Sequence, residues 1–201
     1  MIGTSGGAQV ATGLTSDKSF DVIYDEQIAP KSNETPPVKD MSGIFERYAQ
    51  IQEHSKSPKE WIENYSLYLL EDHKYNESVH ITRLEHRIKG IEWPSNLMIT
   101  AINARKAERV ALTSDSQVNL HRAMASSGSL PGVWPATTIE SDKHFDGGCH
   151  SMENADLAIG AKKVLIFATN FPISTPYKLE DAIKELEESG AKIKLITPSK
   201  A

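Results

Sequence analysis

The sequence predicts an α/β domain with a mainly parallel sheet, and its second half carries the observations that lead to this fold class. "KKVLIFAT" (162–169) is a continuous apolar run of the kind found in buried parallel strands. The charged helical pattern "KLEDAIKELEESG" (178–190) follows, and the run "KIKLIT" (192–197) completes a strand–helix–strand unit. Earlier, "NLMITAINA" (96–104) and "ERVALTS" (108–114) are two strand-like runs joined by a short polar turn. Strands that alternate with helices indicate an α/β domain.

The region before the first of these runs is predicted to be helical. Ser57 opens a capping box with proline at the first helical position, and one apolar face follows it: Trp61, Tyr65, Tyr68 and Leu69. Asn76 is predicted to start a further helix that ends at Gly90. We interpret residues 41–90 as a helical insertion within a single domain of residues 1–201. The aromatic residues of this insertion, and Trp134 further along, are expected to pack in the core in preference to contacting a substrate.

Composition and charge exclude several classes of protein. The chain has 201 residues, which suits one domain, and its net charge is −5 without a basic block that could follow a phosphate backbone. Nucleic acid is therefore not an expected partner. The single cysteine, Cys149, excludes an internal disulfide. With no apolar run of about 18 residues and no export signal, we expect a cytoplasmic protein.

The first motif is Gly3-Thr4-Ser5-Gly6-Gly7, which fits the Gly-x-Ser-x-Gly pattern of a nucleophile elbow. In such an elbow the serine lies on a sharp turn between a strand and a helix, and "AQVATGLT" (8–15) is suited to be that helix. Only Met1 and Ile2 precede the motif, where an average strand has roughly five or six residues. The alternative is a chance match in a flexible N-terminal tail.

The second motif is Asp146-Gly147-Gly148 in "HFDGGCH". Glycines beside a carboxylate allow the backbone to turn sharply and another main chain to approach, as presentation of the carboxylate to a partner side chain requires. Taken alone, the tripeptide is more typical of an ordinary Asp-Gly hairpin turn.

Four stretches together carry a resemblance to a known family: "GTSGGA", "AMASSGSLPGVWPATTI", "KHFDGG" and "NADLAIGAKKVLIF". Their order and spacing resemble the patatin-like phospholipases, particularly the bacterial, actinobacterial branch. The resemblance is close over residues 1–15 and 97–168, moderate over 178–198, and absent in detail across the helical insertion. It implies a three-layer α/β/α domain.

The resemblance also implies an activity and its residues. The expected function is a serine lipid acyl hydrolase that uses a Ser-Asp dyad without a catalytic histidine, a metal or an organic cofactor. Ser5 matches the nucleophile and Asp146 matches the base, while the Gly6 N–H, at the positive end of the following helix, is the expected oxyanion donor. The expected partner is a lipid or ester substrate, met in transient contact with a membrane surface.

The sequence departs from the family upstream of the elbow. Patatin-like enzymes carry a glycine-rich oxyanion loop there, so we expect this chain to be N-terminally truncated, lacking its first strand and that loop. The alternative function is accordingly an inactive or partial protein that only binds lipid or a protein partner. A Ser-Asp-His triad that uses His150 is a further alternative, with His144 also near Asp146. Cys149 is expected to be inert packing.

Overall fold

The computed structural model describes residues 1–28, 40–70, 76–169, 171 and 173–198. The strands in these ranges are β1 (Ile2–Gly3), β2 (Met98–Asn103), β3 (Glu108–Leu112), β4 (Thr137–Ile139), β5 (Asp142–Asp146), β6 (Lys163–Phe167) and β7 (Lys192–Ile196). The helices are α1 (Gly6–Thr15), α2 (Phe20–Ile28), α3 (Ser42–His54), α4 (Pro58–Leu69), α5 (Glu77–Arg87), α6 (Leu120–Ser127) and α7 (Leu179–Glu188). No helix in this part of the chain is both long enough and apolar enough to cross a bilayer.

Strand β2 is the centre of a five-stranded mixed sheet. Strand β3 pairs antiparallel with it over Ile99–Asn103 and occupies one edge. Strands β1 and β5 therefore share the other edge: β1 runs parallel beside Met98 and Ile99, and β5 runs antiparallel beside Ala101–Asn103. Because β1 and β5 run toward each other along this edge, their carboxyl ends meet at Thr100.

The predicted strand–helix–strand unit is confirmed as β6, α7 and β7. Strands β6 and β7 form a separate parallel pair, with Lys163 opposite Lys192. Leu186 of α7 is fully buried against this pair. The α/β class is thus confirmed, with parallel pairing in β1–β2 and β6–β7 and antiparallel pairing elsewhere in the described sheets.

Helices cover both faces of the mixed sheet, as the alternation of side chains along β2 requires. Ile99 and Ala101 face a cluster that includes residues of α1, α5 and α6. Ile102 and Phe145 face the opposite cluster, to which α3 and α4 contribute. The expected three-layer arrangement is therefore present, and the helices of residues 41–90 are divided between its two outer layers.

Both predicted helix starts have the expected N-cap hydrogen bond. The Ser57 hydroxyl accepts a hydrogen bond from Glu60 N at 3.2 Å, and Asn76 Oδ1 accepts one from Val79 N at 3.1 Å. Tyr65 is 1% exposed, which confirms that the aromatic face of α4 is core. Trp134 is buried as well.

Candidate active site

The opening glycine-serine motif forms a strand–turn–helix elbow. β1 ends at Gly3, α1 begins at Gly6, and Ser5 between them has φ 52° and ψ −124°. A residue with a side chain rarely adopts this backbone conformation, and such strain is typical of functional turns. A Cβ on Gly3 would lie 2.6 Å from Ala8 Cα, so the helix can return across the strand only over a glycine. The stretch is therefore an elbow, and the alternative of a flexible tail is wrong.

Two backbone N–H groups of this elbow, those of Ser5 and Gly6, differ in whether they donate a hydrogen bond. Ser5 N donates to Ser127 Oγ at 2.9 Å, and Ser127 is fully buried at the end of α6. None of the hydrogen bonds among the described residues uses the Gly6 N–H. Gly6 and Gly7 are exposed, and a Cβ on either would meet nothing within 4 Å, so no side chain crowds this start of α1. Gly6 N–H can therefore donate to a molecule bound there.

Asp146 is the last residue of β5, and Gly147–Cys149 form a single 3₁₀ turn after it. The motif is not a hairpin turn. Gly148 N donates to Asp146 Oδ1 at 2.8 Å. A Cβ on Gly147 would lie 2.4 Å from Thr100 Oγ1, so only glycine allows the turn to lie this close to β2. The two glycines thus place the turn and hold the carboxylate.

The Ser5 and Asp146 side chains are brought together where β1 and β5 meet. Asp146 is 1% exposed, and its burial raises the pKa of the carboxyl to about 7, opposed by the influence of the Ser5 side chain and by the hydrogen bond from the Gly148 N–H. An aspartate with the usual pKa of about 3.9 is a feeble base toward an alcohol. At a pKa near 7 the carboxylate is a stronger base and is still ionised in about half of the molecules at neutral pH.

Comparison with known proteins agrees with this geometry. The sequence model of the family described as "Patatin-like phospholipase" matches residues 1–159, which include the elbow and the Asp-Gly-Gly turn. The chain belongs to the patatin-like phospholipase family. No curated protein matches it at a significant level. Membership assigns this patatin-like phospholipase a hydrolase activity directed at lipids, in agreement with the resemblance seen in the sequence.

The two histidines near Asp146 in this patatin-like phospholipase make other contacts. The His150 ring stacks on Tyr177 with centroids 4.0 Å apart, and burial together with the charge of Arg109 lowers the pKa of His150 to about 4. His144 Nδ1 lies 3.2 Å from Asp142 O, and burial lowers its pKa. Neither histidine is among the groups that shift the pKa of Asp146.

Cys149 is also part of the core in this patatin-like phospholipase. It is 2% exposed, and burial raises the pKa of its thiol. A thiol in such surroundings is inert, as expected. Within the ranges that the structure describes, no group of three or more His, Cys, Asp or Glu side chains is placed to hold a metal ion.

A polar cluster behind the two motifs was missed by the sequence analysis. Thr4 Oγ1 lies 2.8 Å from Thr100 Oγ1, and the buried Asn154 side chain donates to both hydroxyls. Ser127 was missed as well. Both Ser127 and Asn154 lie in stretches that carry the family resemblance, which is the signal that could have singled them out.

Proposed function

We propose that the protein hydrolyses carboxylic esters of lipids through a dyad of Ser5 and Asp146. The observation that carries this proposal is the convergence of a strained serine elbow and a buried carboxylate at one position of β2, close enough for the Ser5 side chain to lower the pKa of Asp146. Nucleophile and base within hydrogen-bond reach are the arrangement that acyl transfer needs.

In the proposed reaction Ser5 Oγ attacks the ester carbonyl carbon, and its proton passes to Asp146. The negative charge that forms on the carbonyl oxygen is stabilised by the Gly6 N–H at the N-terminus of α1. Collapse of the tetrahedral intermediate breaks the bond to the alcohol, which leaves with the proton from Asp146. Water then attacks the acyl-serine by the same route and regenerates both side chains.

Exposed apolar side chains of α1 and α2 support contact with a lipid surface. Val10 and Leu14 lie on the outer side of α1 and are 48% and 36% exposed. On α2, Phe20, Tyr24 and Ile28 follow at four-residue spacing and are 75%, 64% and 62% exposed. Apolar side chains at one helix face are suited to transient contact with a membrane surface.

The helices of residues 41–90 remain proposed as an insertion in one domain. Tyr48 of α3 donates its hydroxyl proton to Pro131 O at 2.7 Å and is 3% exposed, while Leu84 of α5 is buried on the other face of the sheet. These contacts favour an insertion that is integrated into the core.

The pH dependence of hydrolysis separates the dyad from a triad. For a water-soluble short-chain ester, kcat/KM is expected to rise with pH and level off above about 7, because Asp146 acts as the base only when ionised. A triad based on His150 would instead level off above about 4. An acid limb near 4 would show that burial does not raise the pKa of Asp146, and loss of activity in a folded His150→Ala protein would then overturn the dyad.

Variants test the same proposal at the level of single groups. Ser5→Ala and Asp146→Asn are each expected to abolish most hydrolysis, and the double variant to be no slower than either, because the two groups act as one unit. His150→Ala and His144→Ala are the matched controls and should retain activity. A fluorophosphonate probe should label Ser5. Lipid binding without hydrolysis or labelling would favour a protein that only binds lipid.

A further inference from the structure

The side chain of Asn154 bonds to the backbone or side chains of residues next to the proposed dyad. It is fully buried, and its Nδ2 donates to Ser151 O at 2.6 Å, Thr4 Oγ1 at 3.1 Å, Gly147 O at 3.2 Å and Thr100 Oγ1 at 3.3 Å. Two N–H hydrogens are thus shared among four oxygen atoms. The amide lies at the junction of the serine elbow, the Asp-Gly-Gly turn and β2.

An ion pair fixes the orientation of this amide. Arg109 Nη1 donates to Asn154 Oδ1 at 3.1 Å, and the same guanidinium forms a two-bond pair with Asp156 at 2.7 and 2.6 Å. Because the guanidinium has donors only, it holds the carbonyl end of the amide toward itself. The amino end must then face the two threonine hydroxyls and the two carbonyls.

The partners of Asn154 are the immediate neighbours of the two proposed catalytic residues. Thr4 precedes Ser5, and Gly147 follows Asp146. The backbone of Asn154 has φ 49° and ψ 39°, a left-handed conformation in which asparagine is among the more frequent residues. A single buried side chain therefore bonds to both halves of the site from behind, without reaching the space in front of Gly6.

We propose that Asn154 is a positioning residue that sets the distance between the Ser5 hydroxyl and the Asp146 carboxylate. This inference rests on the proposed dyad. Loss of the amide leaves β1 and the Asp-Gly-Gly turn attached to β2 but removes the side chain that bonds to both of them. Small displacements of reacting groups cost about 100-fold in rate even when substrate binding is retained.

The test compares Asn154→Gly with Asn103→Ala. Glycine tolerates the left-handed backbone, so the first variant removes the whole side chain, amide included, without straining the backbone. Asn103, on β2, is another buried asparagine. Its side chain bonds to Asp142 Oδ2 at 2.8 Å and to Lys106 N at 3.0 Å, and it bonds to neither Ser5 nor Asp146. With a short-chain ester, Asn154→Gly is expected to lower kcat about 100-fold with KM within about threefold, whereas Asn103→Ala retains kcat per folded molecule.

A second measurement does not depend on activity. Amide hydrogen exchange is followed at Ser5 N, which donates to Ser127 Oγ, and at Gly148 N, which donates to Asp146 Oδ1. In Asn154→Gly both amides are expected to exchange at least about tenfold faster than in Asn103→Ala, because local opening of both motifs becomes easier. If Asn154→Gly does not fold, Thr100→Val removes the hydroxyl shared by Thr4 and Asn154 and should shift both readouts in the same direction.

The outcomes separate the two proposals. Unchanged kcat and unchanged exchange in a folded Asn154→Gly protein would overturn the positioning role while leaving the dyad intact. Equal losses of kcat in Asn154→Gly and Asn103→Ala would also overturn it, because the effect would then be global. Faster exchange at both amides in a protein whose wild-type form never reacts at Ser5 would support the positioning of the two motifs and reject the proposed hydrolysis.

Discussion

The buried carboxyl of Asp146 makes a quantitative prediction about stability. Its pKa rises from 3.8 to about 7 on folding, mainly because burial disfavours the charged form. At about 1.4 kcal/mol per pKa unit, this rise costs roughly 4 kcal/mol once the carboxyl is ionised in both states. Asp146→Asn retains the shape and an oxygen acceptor for the Gly148 N–H but carries no charge, so it should remove this cost.

The direction in which the free energy of unfolding changes with pH follows from proton binding by Asp146. Below pH 3.8 the carboxyl is protonated in both states, and its contribution to stability is fully present. Between pH 3.8 and about 7 the folded protein binds a proton that the unfolded chain has lost, so stability falls as pH rises and then becomes constant. The free energy of unfolding of wild type minus that of Asp146→Asn should therefore decrease by roughly 4 kcal/mol from pH 4 to pH 8.

Urea unfolding of both proteins between pH 4 and 8 measures this difference. Asp142→Asn is the matched control, because Arg105 holds the pKa of Asp142 well below its usual range and that carboxylate stays ionised between pH 5 and 8. Its difference from wild type should be constant over that range. A difference for Asp146→Asn that is equally constant would refute the conclusion that burial raises this pKa.

Three further substitutions or reactions test individual contacts. Gly147→Ala should destabilise the fold by about 1–3 kcal/mol in a denaturation experiment, since its Cβ would lie 2.4 Å from Thr100 Oγ1; an unchanged midpoint would contradict this. Ser127→Ala removes the acceptor of the Ser5 N–H and should cost about 1 kcal/mol or more and slow fluorophosphonate labelling; equal stability and labelling would show that the bond is dispensable. A thiol reagent at pH 8 should modify Cys149 only as fast as the protein opens, because the thiol is buried with a raised pKa; a rapid reaction in the folded state would refute this.

The parts of the structure that the sequence predicted have local signals. The caps at Ser57 and Asn76 depend on side chains that bond to backbone N–H groups within three positions, and both are present. The elbow at Ser5 is equally local, because Gly3, two positions before the serine, allows the helix to follow the strand so closely. Such features can be predicted from a few neighbouring residues.

The direction of strand pairing was predicted less well. The strand–helix–strand pattern near the C-terminus does form a parallel pair, β6–β7. Strands β2 and β3, however, are joined by only residues 104–107, and a parallel connection needs a dozen residues or more. The short polar turn between these two runs already required antiparallel pairing, and the expectation of a mainly parallel sheet gave it too little weight.

Long-range contacts account for what the sequence did not reveal. Asn154 lies 150 positions from Thr4, and no periodicity or motif spacing indicates that its amide reaches both Thr4 and Gly147. The raised pKa of Asp146 has the same origin, since it depends on burial by segments that are distant in sequence. Both properties exist only once β1 and β5 lie on the same edge of β2.

This shared edge explains why two motifs 141 positions apart both need glycine. At the end of β1, Gly3 allows α1 to return over the strand, with a Cβ excluded by Ala8 Cα at 2.6 Å. At the end of β5, Gly147 allows the turn to lie against Thr100, where a Cβ would be 2.4 Å from the hydroxyl. If either turn were displaced, the strand ends would separate along β2 and Ser5 would move away from Asp146. The glycines thus serve the proposed chemistry by permitting close approach, while the hydroxyl and amide groups of the cluster behind them hold the approach in place.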